Sequence, residues 1–550
     1  MADVARREQM FPSLSQAQLA RLSKLGKRRP VAAGEVIFEQ GDQTPGFFVI
    51  LSGKLEVVQP VDGRELPITV HSPGEFTGEV SLLAGRRTLV RGRMLEPGEL
   101  LVITPEALRH LVQSDSELSE LFLRAFILRR VALIASTPGD TVLIGSSHSA
   151  STLRLRDFLT RNGHPHAYLD ADKDDSVQAL LDRFHIRIED VPVIICRYDR
   201  VLKNPTNAEV AECLGLNPTL DASTVRDLVV IGAGPAGLAA AVYGASEGLD
   251  VLVLESNAPG GQAGSSSKIE NYLGFPTGIS GQALAGRAFM QAQKFGADVT
   301  IARAAAKLDC SQRPYTVTLD SGESVKARAI VVASGAEYRK LPLADLPRFE
   351  GLGVYYCATH VEAQVCQGED VLIVGGGNSA GQAAVFLAGT ARHVHMLVRG
   401  PGLSETMSKY LIRRIEESDQ ITLRTRTQVE DLLGGGHLEE VRIRDATRTE
   451  GETLAVRHLF AMTGAMPNTA FLGACLALDE KKFVKTGQDL TAADLATAGW
   501  PLRRPPHLLE TSMPGVFAVG DVRSGSVKRV ASAVGEGSVC VQLVHRSLGE

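Results

Sequence analysis

The feature that most constrains the fold of this chain is a glycine-rich turn that follows a short apolar run near the middle of the sequence. The run from Asp227 to Ile231 ends in the pattern Gly-x-Gly-x-x-Gly, an Ala-rich helical stretch follows, and a second apolar run ends in an acid about 20 residues later. Strand, turn, helix and strand in this order are typical of a βαβ unit that binds a dinucleotide. The alternative is that the glycines only punctuate a buried turn. The residues predicted to bind the dinucleotide are Gly232, Gly234, Pro235, Ala236, Gly237 and Glu255.

A second copy of the pattern lies downstream and differs in its last position. The apolar run from Asp370 to Val374 leads into Gly-Gly-Gly-Asn-Ser-Ala, and the next apolar run ends at Arg399 instead of an acid. An acid at this place favours an unphosphorylated ribose, whereas a cation accommodates a 2′-phosphate. We therefore expect FAD in the first unit and NADPH in the second, with NADH as the alternative. The residues predicted to bind the nicotinamide cofactor are Gly375, Gly377, Asn378, Ser379, Ala380, Arg399 and Gly464.

Length and composition exclude several other classes of protein. A chain of 550 residues needs more than one hydrophobic core, and its net charge of −5 gives no reason to expect nucleic acid as a partner. No apolar run reaches the roughly 18 residues of a membrane span, and the first residues lack the apolar core of a signal peptide. The seven cysteines show neither disulfide-framework nor zinc spacing. We therefore expect a cytoplasmic protein with reduced thiols, no membrane contact and no metal site.

The first quarter of the chain has the pattern of a small β-barrel or sandwich. Short β-prone runs alternate with glycine turns, and a helical segment follows from Pro105 to about Ala135. The predicted strands are 34–38, 46–51, 53–58, 66–70 and 100–103.

Within this region, residues 76–88 resemble the phosphate cassette of the cyclic nucleotide-binding family. The resemblance implies that Gly78, Glu79, Arg87 and Thr88 hold the ligand, since a helix N-terminus beside a guanidinium suits a cyclic phosphate. The sequence departs from the family at 89–90, where Leu and Val replace a second small residue. A cyclic nucleotide effector is one expectation. The other is a barrel that has lost its ligand and only docks on its neighbour.

A second small unit follows a Thr-Pro-Gly linker. Predicted strands at 141–145, 166–170 and 191–196 alternate with predicted helices at 153–162 and 177–184. This order resembles a glutaredoxin- or thioredoxin-like fold, with Pro192 at the family's cis-proline position. Residues 146–149 read Ser-Ser-His-Ser where the redox cysteines would stand, so we expect a docking or spacer domain without redox chemistry. Cys196 is expected to be a buried strand thiol, with a lone nucleophile as the alternative.

Further motifs in the second half of the chain fit a flavin site. Glycine amides and amide side chains are expected to reach the flavin ring, and Asp521 is expected near the ribityl and pyrophosphate groups. The predicted residues are Gly260, Gly261, Gln262, Asn271, Gly335, Gly520, Asp521, Arg529, Val530 and Ala531. The order of Gly-Gly-Gln, Gly-Gly-Gly-Asn-Ser and Gly-Asp resembles the low-molecular-weight thioredoxin reductase family over roughly residues 225–547. The resemblance implies an FAD domain interrupted by an NADPH domain, domain rotation during turnover, and a homodimer.

The predicted fold is therefore multidomain. It combines a β-barrel of the cyclic nucleotide-binding type, a thioredoxin-like α/β unit and two Rossmann-like domains, with the NADPH domain inserted into the FAD domain. The predicted boundaries are 1–136 for the barrel, 140–218 for the thioredoxin-like unit, 224–345 for the first part of the FAD domain, 346–458 for the NADPH domain and 459–550 for the second part of the FAD domain.

The chain breaks the reductase pattern at the redox disulfide. Where the family has Cys-Ala-Thr-Cys, this chain has Cys357-Ala-Thr-His360. Cys357 matches the cysteine that attacks the substrate, and His360 replaces the one that contacts the flavin. Cys366 is expected more than a helical turn beyond His360. Cys357 is then a buried thiol, a mixed-disulfide nucleophile or half of an intermolecular pair, and His360 is a proton donor beside the flavin or a passive filler.

Three functions remain open on the sequence. The first is an FAD enzyme that takes hydride from NAD(P)H and passes electrons from the flavin to a small molecule such as a quinone or dioxygen, or to a small redox protein. The second is a thioredoxin reductase that works through Cys357. The third is a sensor in which the barrel binds a nucleotide and the flavin half reports redox state to a partner.

Overall fold

The computed structural model describes residues 9–42, 46–61, 64–78, 88, 90–136, 141–147, 149–172, 187, 190–196, 200–266, 268–356, 358–448 and 451–550. An antiparallel sheet with helices comes first, followed by a small α/β unit. A domain built on a parallel sheet comes next, and a second parallel-sheet domain is inserted into it. In these ranges, no helix combines the length and the apolar character needed to cross a membrane.

The N-terminal unit is a five-stranded antiparallel sheet in the order β1-β5-β3-β4, with β2 paired to β5. Its core contains four mutually packed rings, Phe47, Phe76, Phe122 and Phe126, which join the sheet to the last helix. The strands are β1 Lys27–Val31, β2 Val36–Phe38, β3 Phe47–Val61, β4 Arg64–His71 and β5 Arg91–Ile103. The helices are α1 Gln16–Leu22, α2 Pro105–Ser114 and α3 Ser116–Ser136.

Two of the predicted barrel strands prove to be one. The predicted strands 46–51 and 53–58 are continuous in β3, because Gly53, with φ of +80°, accommodates an irregularity in the ladder instead of a turn. Strand β1 has four consecutive exposed positions, Lys27 to Pro30, before the buried Val31, and it was not predicted because it lacks apolar alternation. The antiparallel sheet itself is confirmed.

The small unit contains a four-stranded sheet in the order β7-β6-β8-β9. Strands β6 and β7 are parallel, and β8 and β9 are antiparallel to their neighbours. The peptide bond before Pro192 is cis. The elements are β6 Thr141–Gly145, α4 Ala150–Arg161, β7 Ala167–Asp170, β8 Val193–Cys196, β9 Arg200–Lys203 and α5 Asn207–Cys213. The predicted helix at 177–184 and His148 lie outside the described residues, and Cys196 is fully buried in β8.

The larger domain that follows has the sheet order β12-β11-β10-β15-β14-β13, with the later strand β26 (Val516–Ala518) paired to β15. Strands β10, β11, β12, β15 and β26 are parallel, so their C-terminal ends share one edge of the sheet. The strands are β10 Val225–Ile231, β11 Val251–Glu255, β12 Asp298–Ile301, β13 Ala305–Asp309, β14 Tyr315–Leu319 and β15 Ser324–Val332. The helices in this part are α6 Pro235–Ser246, α7 Gly261–Gly264 and α8 Gly281–Lys294.

The inserted domain contains a parallel sheet in the order β17-β24-β18-β19-β20 and a three-stranded antiparallel sheet. A two-stranded ribbon, β16 Ala336–Tyr338 with β25 Ala465–Pro467, marks the entry and the exit of the chain. The helices are α9 Leu346–Phe349, α10 His360–Val365, α11 Asn378–Leu387 and α12 Lys409–Glu416. The strands are β17 Val354–Tyr355, β18 Asp370–Val374, β19 His393–Val398, β20 Ile421–Thr425, β21 Thr427–Leu433, β22 Glu440–Asp445, β23 Glu452–Leu454 and β24 His458–Ala461.

The chain returns to the first domain slightly later than its predicted start at 459. Strand β24 pairs with β17 and β18 inside the inserted sheet, so the crossing lies at β25. Beyond it lie three short 3-10 helices at Ala470–Leu472, Gly487–Asp489 and Gly520–Val522. The last elements are α13 Ala492–Ala498, β26 Val516–Ala518 and α14 Val530–Leu548.

Candidate functional site

The first glycine-rich turn joins β10 to α6, and the space around each of its three glycines explains why a glycine stands there. Gly232 has φ of +103°, and a Cβ there would overlap the carbonyl oxygen of Ala333. A Cβ on Gly237 would overlap the carbonyl oxygen of Gly232. Gly234 caps α6 without a side chain, and the space in front of it is open. The turn therefore leaves open space at Gly234, in front of the N-terminus of α6, where an anion can bind.

Glu255 ends β11 beneath this turn and is almost fully buried, with 6% of its surface exposed. One carboxylate oxygen accepts from the Ala233 amide at 2.7 Å, and the other accepts from the amides of Asn257 at 2.8 Å and Ala258 at 3.2 Å. Burial raises the pKa of Glu255, and these three hydrogen bonds oppose that rise. Glu255 thus ties the first turn to the loop after β11, and its remaining lone pairs can still accept from ribose hydroxyls.

The loop predicted to reach the flavin ring packs directly on the first turn. The Gly260 amide donates to the Ala233 carbonyl at 2.7 Å, and a Cβ on Gly261 would lie 3.2 Å from the Cα of Gly234. The Gln262 side-chain amide donates to the carbonyl of Ala336, at the start of the ribbon between the domains. Sequence reasoning missed this contact, since it joins segments far apart in the chain.

Two further predicted flavin residues are Asn271 and Gly335. Asn271 follows this loop in the chain, and Gly335 precedes Ala336, whose carbonyl accepts from Gln262. Asn271 is exposed, in a loop pinned by the backbone pairing of Ile269 with Ile279. Gly335 has φ of +68° and open space at its Cα. Ser334 and Asn468 hold the adjoining strands together through reciprocal hydrogen bonds of 2.7 and 3.0 Å.

The C-terminal motif lies against α6 from the other side. The Gly520 amide donates to a carboxylate oxygen of Glu536 at 2.6 Å, and Arg523 donates to the other oxygen at 2.6 Å. A Cβ on Gly537 would overlap the carbonyl oxygen of Ala236, so α14 and α6 pack in close contact. Glu536 was not predicted as a site residue; its spacing in α14 gave no signal that it would fix the Gly520 turn.

Arg529, Val530 and Ala531 form the start of α14. Arg529 is the N-cap of the helix, with no side-chain cap, and its side chain and that of Ala531 are exposed. The first turn of this helix is therefore largely exposed, and no side chain caps its amides.

Asp521 provides the test of whether a cofactor fits here. Its carboxylate is half-buried, yet no described residue donates a hydrogen bond to it. Burial is the main cause of the raised pKa of Asp521, opposed by the positive charge of Lys528. A desolvated carboxylate without a donor suits a ligand that supplies hydroxyl groups. Together with the open space at Gly234, this carboxylate makes a site that fits the phosphate and ribityl parts of a flavin dinucleotide.

The second glycine-rich turn joins β18 to α11 in the inserted domain and repeats the geometry of the first. A Cβ on Gly375 would overlap the carbonyl oxygen of Met462, and Gly377 caps α11 with open space before it. Asn378 accepts from the amide and the hydroxyl of Ser408, at 2.8 and 2.9 Å. Ser379 is exposed in the first helical turn, and Ala380 is fully buried where the first unit has a glycine.

Arg399 lies where the sequence predicts a cation for a 2′-phosphate. It follows β19, is exposed, and has no carboxylate partner in the described part of the chain. Arg414 of the same domain is already paired with Glu270 of the first domain at 2.7 Å. Gly464, with φ of +106°, accepts from the Arg339 amide at 2.7 Å beside the ribbon, with open space at its Cα. The second turn therefore fits a dinucleotide whose ribose carries a phosphate.

The segment with the altered redox motif is only partly described. Cys357 lies outside the described residues, and the backbone of His360 begins α10. The turn before α10 is closed by Thr359, whose amide donates to Glu362 at 2.9 Å. Cys366 is fully buried beneath α10, and burial raises its pKa to about 12. Cys366 is therefore not a ready substitute for the second redox cysteine.

A cavity of about 360 Å³ adjoins the first turn on the helix side. Its lining is mainly apolar and comes from α6, α8, the 260–275 loop and the start of α14. Tyr272 and Phe275 stack at 6.0 Å on its rim. The described residues contain no cluster of three or more His, Cys, Asp or Glu side chains arranged to hold a metal ion.

The predicted nucleotide cassette in the N-terminal unit is described only at its ends, since Glu79 and Arg87 lie outside the described residues. Gly78 has φ of +107°, and its carbonyl accepts from Arg129 of α3 at 2.8 Å. Thr88 is buried, and its amide donates to the Asp42 carbonyl at 2.9 Å. Its hydroxyl donates to the carbonyl of Glu39 at 2.5 Å. Thr88 thus holds the 39–42 loop with both of its donors.

Comparison with protein families gives two matches. Residues 226–537 match the pyridine nucleotide-disulphide oxidoreductase family, and residues 28–115 match the cyclic nucleotide-binding domain. The first match spans the two parallel-sheet domains, and the second spans the antiparallel sheet.

Individual relatives cover the same C-terminal part. The chain is 31% identical over 329 residues to thioredoxin reductase of Mycolicibacterium smegmatis, which is 60% of this chain and 98% of that protein. It is 30% identical over 365 residues to NADPH-dependent thioredoxin reductase 3 of Arabidopsis thaliana, which is 63% of this chain but only 65% of that protein.

Two solved structures share the fold. Thioredoxin reductase of Lactococcus lactis in its FR conformation matches with a TM-score of 0.53 and 25% identity, over 59% of this chain and 99% of that one. Thioredoxin reductase of T. acidophilum matches with a TM-score of 0.52 and 26% identity, over 58% of this chain and 98% of that one.

Proposed function

The chain belongs to the pyridine nucleotide-disulphide oxidoreductase family, on its thioredoxin reductase branch, and we propose that it passes electrons from the flavin to an acceptor other than a thioredoxin disulfide. It is an FAD-dependent NAD(P)H oxidoreductase, with FAD and NADPH as its cofactors. The observation that carries the proposal is the sequence 357–360, Cys-Ala-Thr-His, where the family has two cysteines. The next thiol, Cys366, is buried and has a pKa raised to about 12.

The assignment of the two sites follows their chemistry. When bound, FAD accepts a hydride and then releases the electrons singly or as a pair, which is chemistry that no side chain of this protein supplies. The amides at Gly234 and the carboxylate of Asp521 are proposed to bind the flavin dinucleotide, with Glu255 holding the turn. The amides at Gly377 and the guanidinium of Arg399 are proposed to bind NADPH.

The thiol relay of the family needs a dithiol next to the flavin. With one thiol, Cys357 can form a mixed disulfide with a substrate but cannot release the product by closing a disulfide with residue 360. The backbone of His360 begins α10, and since histidine is a common general acid, we assign His360 the role of proton source for the reduced acceptor. A small apolar acceptor such as a quinone suits the apolar cavity beside the 260–275 loop.

Anaerobic titration with NADPH tests the proposal by counting electrons. A flavin without an internal disulfide takes up about one equivalent of NADPH per chain, whereas a flavin with a redox-active disulfide takes up about two. We expect about one equivalent in both the wild type and Cys357→Ser. Uptake of a second equivalent that Cys357→Ser abolishes would support the thioredoxin reductase alternative. Failure of NADPH to reduce the flavin at a useful rate would support the sensor alternative.

We also propose that the N-terminal unit binds a cyclic nucleotide and regulates the reductase. The family match and the positive φ of Gly78 at the start of the cassette support this role. The hydrogen bond from Arg129 to Gly78 connects the cassette to α3, and Gln113 of α2 donates to the Lys294 carbonyl of the first domain at 3.0 Å. Because the amide and the hydroxyl of Thr88 already donate to the 39–42 loop, we expect binding of the nucleotide to depend on Arg87 and Glu79.

Calorimetric titration with cyclic AMP and cyclic GMP tests this second proposal. Binding that Arg87→Glu abolishes and Arg86→Glu leaves unchanged would support it. Absence of binding of either nucleotide to the wild type would show instead a barrel that only docks on its neighbour.

The small unit is proposed to have a thioredoxin-like fold without redox function. The sheet order β7-β6-β8-β9 and the cis bond before Pro192 support the fold. The serines at 146, 147 and 149 support the absence of redox chemistry. A homodimer remains part of the proposal, to be tested by measuring the mass of the protein in solution.

A further inference from the structure

Helix α4 (Ala150–Arg161) of the small unit, called here the bridging helix, contacts both parallel-sheet domains. Its C-terminal end lies on the first domain. Arg161 donates to the carbonyl of Gly261, in the loop proposed to face the flavin, at 2.7 Å. The Thr160 carbonyl accepts from Gln282 of α8 at 2.6 Å. The following residue, Asn162, donates to the carbonyl of Asn257 at 3.2 Å.

The contact with the first domain is continuous with its hydrophobic core. Three side chains of the bridging helix belong to the same buried cluster as residues of β10, α6 and α14. They are Leu155, Phe158 and Leu159. Because these apolar side chains would be exposed by separation, the small unit and the first domain form one packed body.

The opposite stripe of the bridging helix faces the inserted domain. Leu153 is buried in the hydrophobic cluster of that domain, and Arg156 donates to the Gln364 side chain of α10 at 2.6 Å. A Cβ on Gly351 would lie only 2.5 Å from that of Ala150, so the backbones are in close contact at the first turn of the helix.

The sequence of the bridging helix accounts for this double contact. Positions 150, 153 and 157 recur at helical spacing on one side, and positions 155, 158 and 159 recur on another. The first set meets the inserted domain and the second set meets the first domain. Because the bridging helix packs against a domain on each side, it restricts the rotation of one domain relative to the other.

We propose that the small unit is a clamp that fixes the two dinucleotide-binding domains in one arrangement and occupies the face around residues 351–364, so that no protein partner can dock there. This face includes residues on both sides of Cys357 in the sequence. The proposal rests on the proposed function in one respect, namely that the acceptor is then a small molecule. The ion pair between Arg414 and Glu270 joins the same two domains at a second point.

The arrangement departs from what the family resemblance implies. Rotation of one dinucleotide domain against the other would break the contacts of Leu153 and Arg156 while the contacts of Arg161 and Phe158 persist. Opening of the clamp would therefore separate the bridging helix from the inserted domain and leave it attached to the first domain.

Hydrogen–deuterium exchange on the full-length holoprotein tests the clamp. The variant Leu153→Asp/Arg156→Ala places a charge in the apolar contact and removes the hydrogen bond to Gln364. We expect peptides that cover 351–366 to exchange at least about tenfold faster than in the wild type. The matched control is Arg154→Ala, because Arg154 lies on the same helix but donates to Asn207 and to the Pro205 carbonyl within the small unit. It is expected to exchange within about twofold of the wild type.

A second variant approaches the contact from the inserted domain. Gln364→Arg sets two like charges against each other and leaves the small unit unaltered, so it serves if the double variant fails to fold. Unchanged exchange in Gln364→Arg, or an equal increase in Arg154→Ala, would overturn the clamp. Flavin reduction by NADPH is measured on the same samples, and its failure in the wild type would refute the proposed function while the exchange result still decides the clamp.

Discussion

Arg399 is the residue on which the choice of nicotinamide cofactor depends. Its exposed guanidinium has no carboxylate partner among the described residues, so it is free to bind a 2′-phosphate. We expect Arg399→Ala to raise the KM for NADPH by about tenfold or more and to leave the KM for NADH unchanged, since a hydrogen bond to a charged group contributes about 1.5–3 kcal/mol. Steady-state kinetics with both cofactors measure the effect.

The control for this prediction is Arg413→Ala. Arg413 lies on α12 of the same domain, but it is paired with Glu417 on the surface at 2.7 Å, and such pairs contribute little. Equal losses for NADPH and NADH in Arg399→Ala would contradict the role assigned to Arg399.

Glu255 is predicted to hold the flavin site together. Glu255→Gln replaces an acceptor oxygen by an amide that faces backbone N–H groups, which leaves buried donors without partners. We expect the free energy of unfolding to fall by about 1–3 kcal/mol and the affinity for FAD to fall with it. Denaturant unfolding and flavin titration measure both quantities. Asp250→Asn is the control, since Asp250 makes an exposed pair with Arg226, and a comparable loss there would contradict the prediction.

At the scale of the element, the packing of α6 on its turn depends on Gly237. A Cβ there would overlap the carbonyl oxygen of Gly232, so Gly237→Ala must push the helix away from the sheet. We expect a protein that is less stable and that no longer retains FAD, as measured by thermal unfolding and flavin absorbance. Gly286→Ala in α8 is the matched control, because a Cβ there meets nothing within 4 Å, and we expect it to be neutral or stabilising. A colour equal to the wild type in Gly237→Ala would show that the turn tolerates the shift.

The docking of the bridging helix is predicted to weaken as the pH rises. Burial raises the pKa of Asp157 to about 6, and the charge of Glu362 on the inserted domain adds to this, while Arg161 opposes it. Because the docked form binds a proton that the undocked form has already lost, docking loses free energy as the pH rises from about 4 to about 6, by at most about 3 kcal/mol.

Exchange in the 351–366 peptides is therefore expected to accelerate, relative to the intrinsic amide rate, between about pH 4 and about pH 6. Asp157→Asn is expected to remove this dependence, since its amide does not titrate. A variant that keeps the full dependence would assign it to another group.

The strands, turns and helices of the two glycine-rich motifs were predictable because the residues that determine them are close together in the sequence. Residues 227–255 contain the strand, glycine turn, helix and strand that the structure shows as β10, α6 and β11. The alternation of apolar runs and glycines suffices for this, since the turn requires positive φ at Gly232 and contact without a Cβ at Gly237.

The contacts that complete the site were not predictable from one sequence. Glu536 binds the Gly520 turn from a separate helix, and Gln262 binds the carbonyl of Ala336. The face formed by Leu153 and Arg156 looks like an ordinary amphipathic stripe until its neighbours are known. These contacts are set by tertiary packing between distant segments, for which residue type and spacing give no signal.

At the scale of the whole molecule, a reductase of familiar fold carries two additional N-terminal units. The antiparallel unit contacts the first domain through Gln113, and the small unit contacts both dinucleotide-binding domains. The hydride donor and the flavin are those of the family, and we propose that the electron acceptor is different.

The measurement that tests this claim most directly is reoxidation of the NADPH-reduced protein under anaerobic conditions. We predict that a water-soluble quinone restores the flavin absorbance at the same rate in the wild type and in Cys357→Ser, and that oxidised thioredoxin restores it in neither. Rapid reoxidation by thioredoxin in the wild type that is lost in Cys357→Ser would contradict the account.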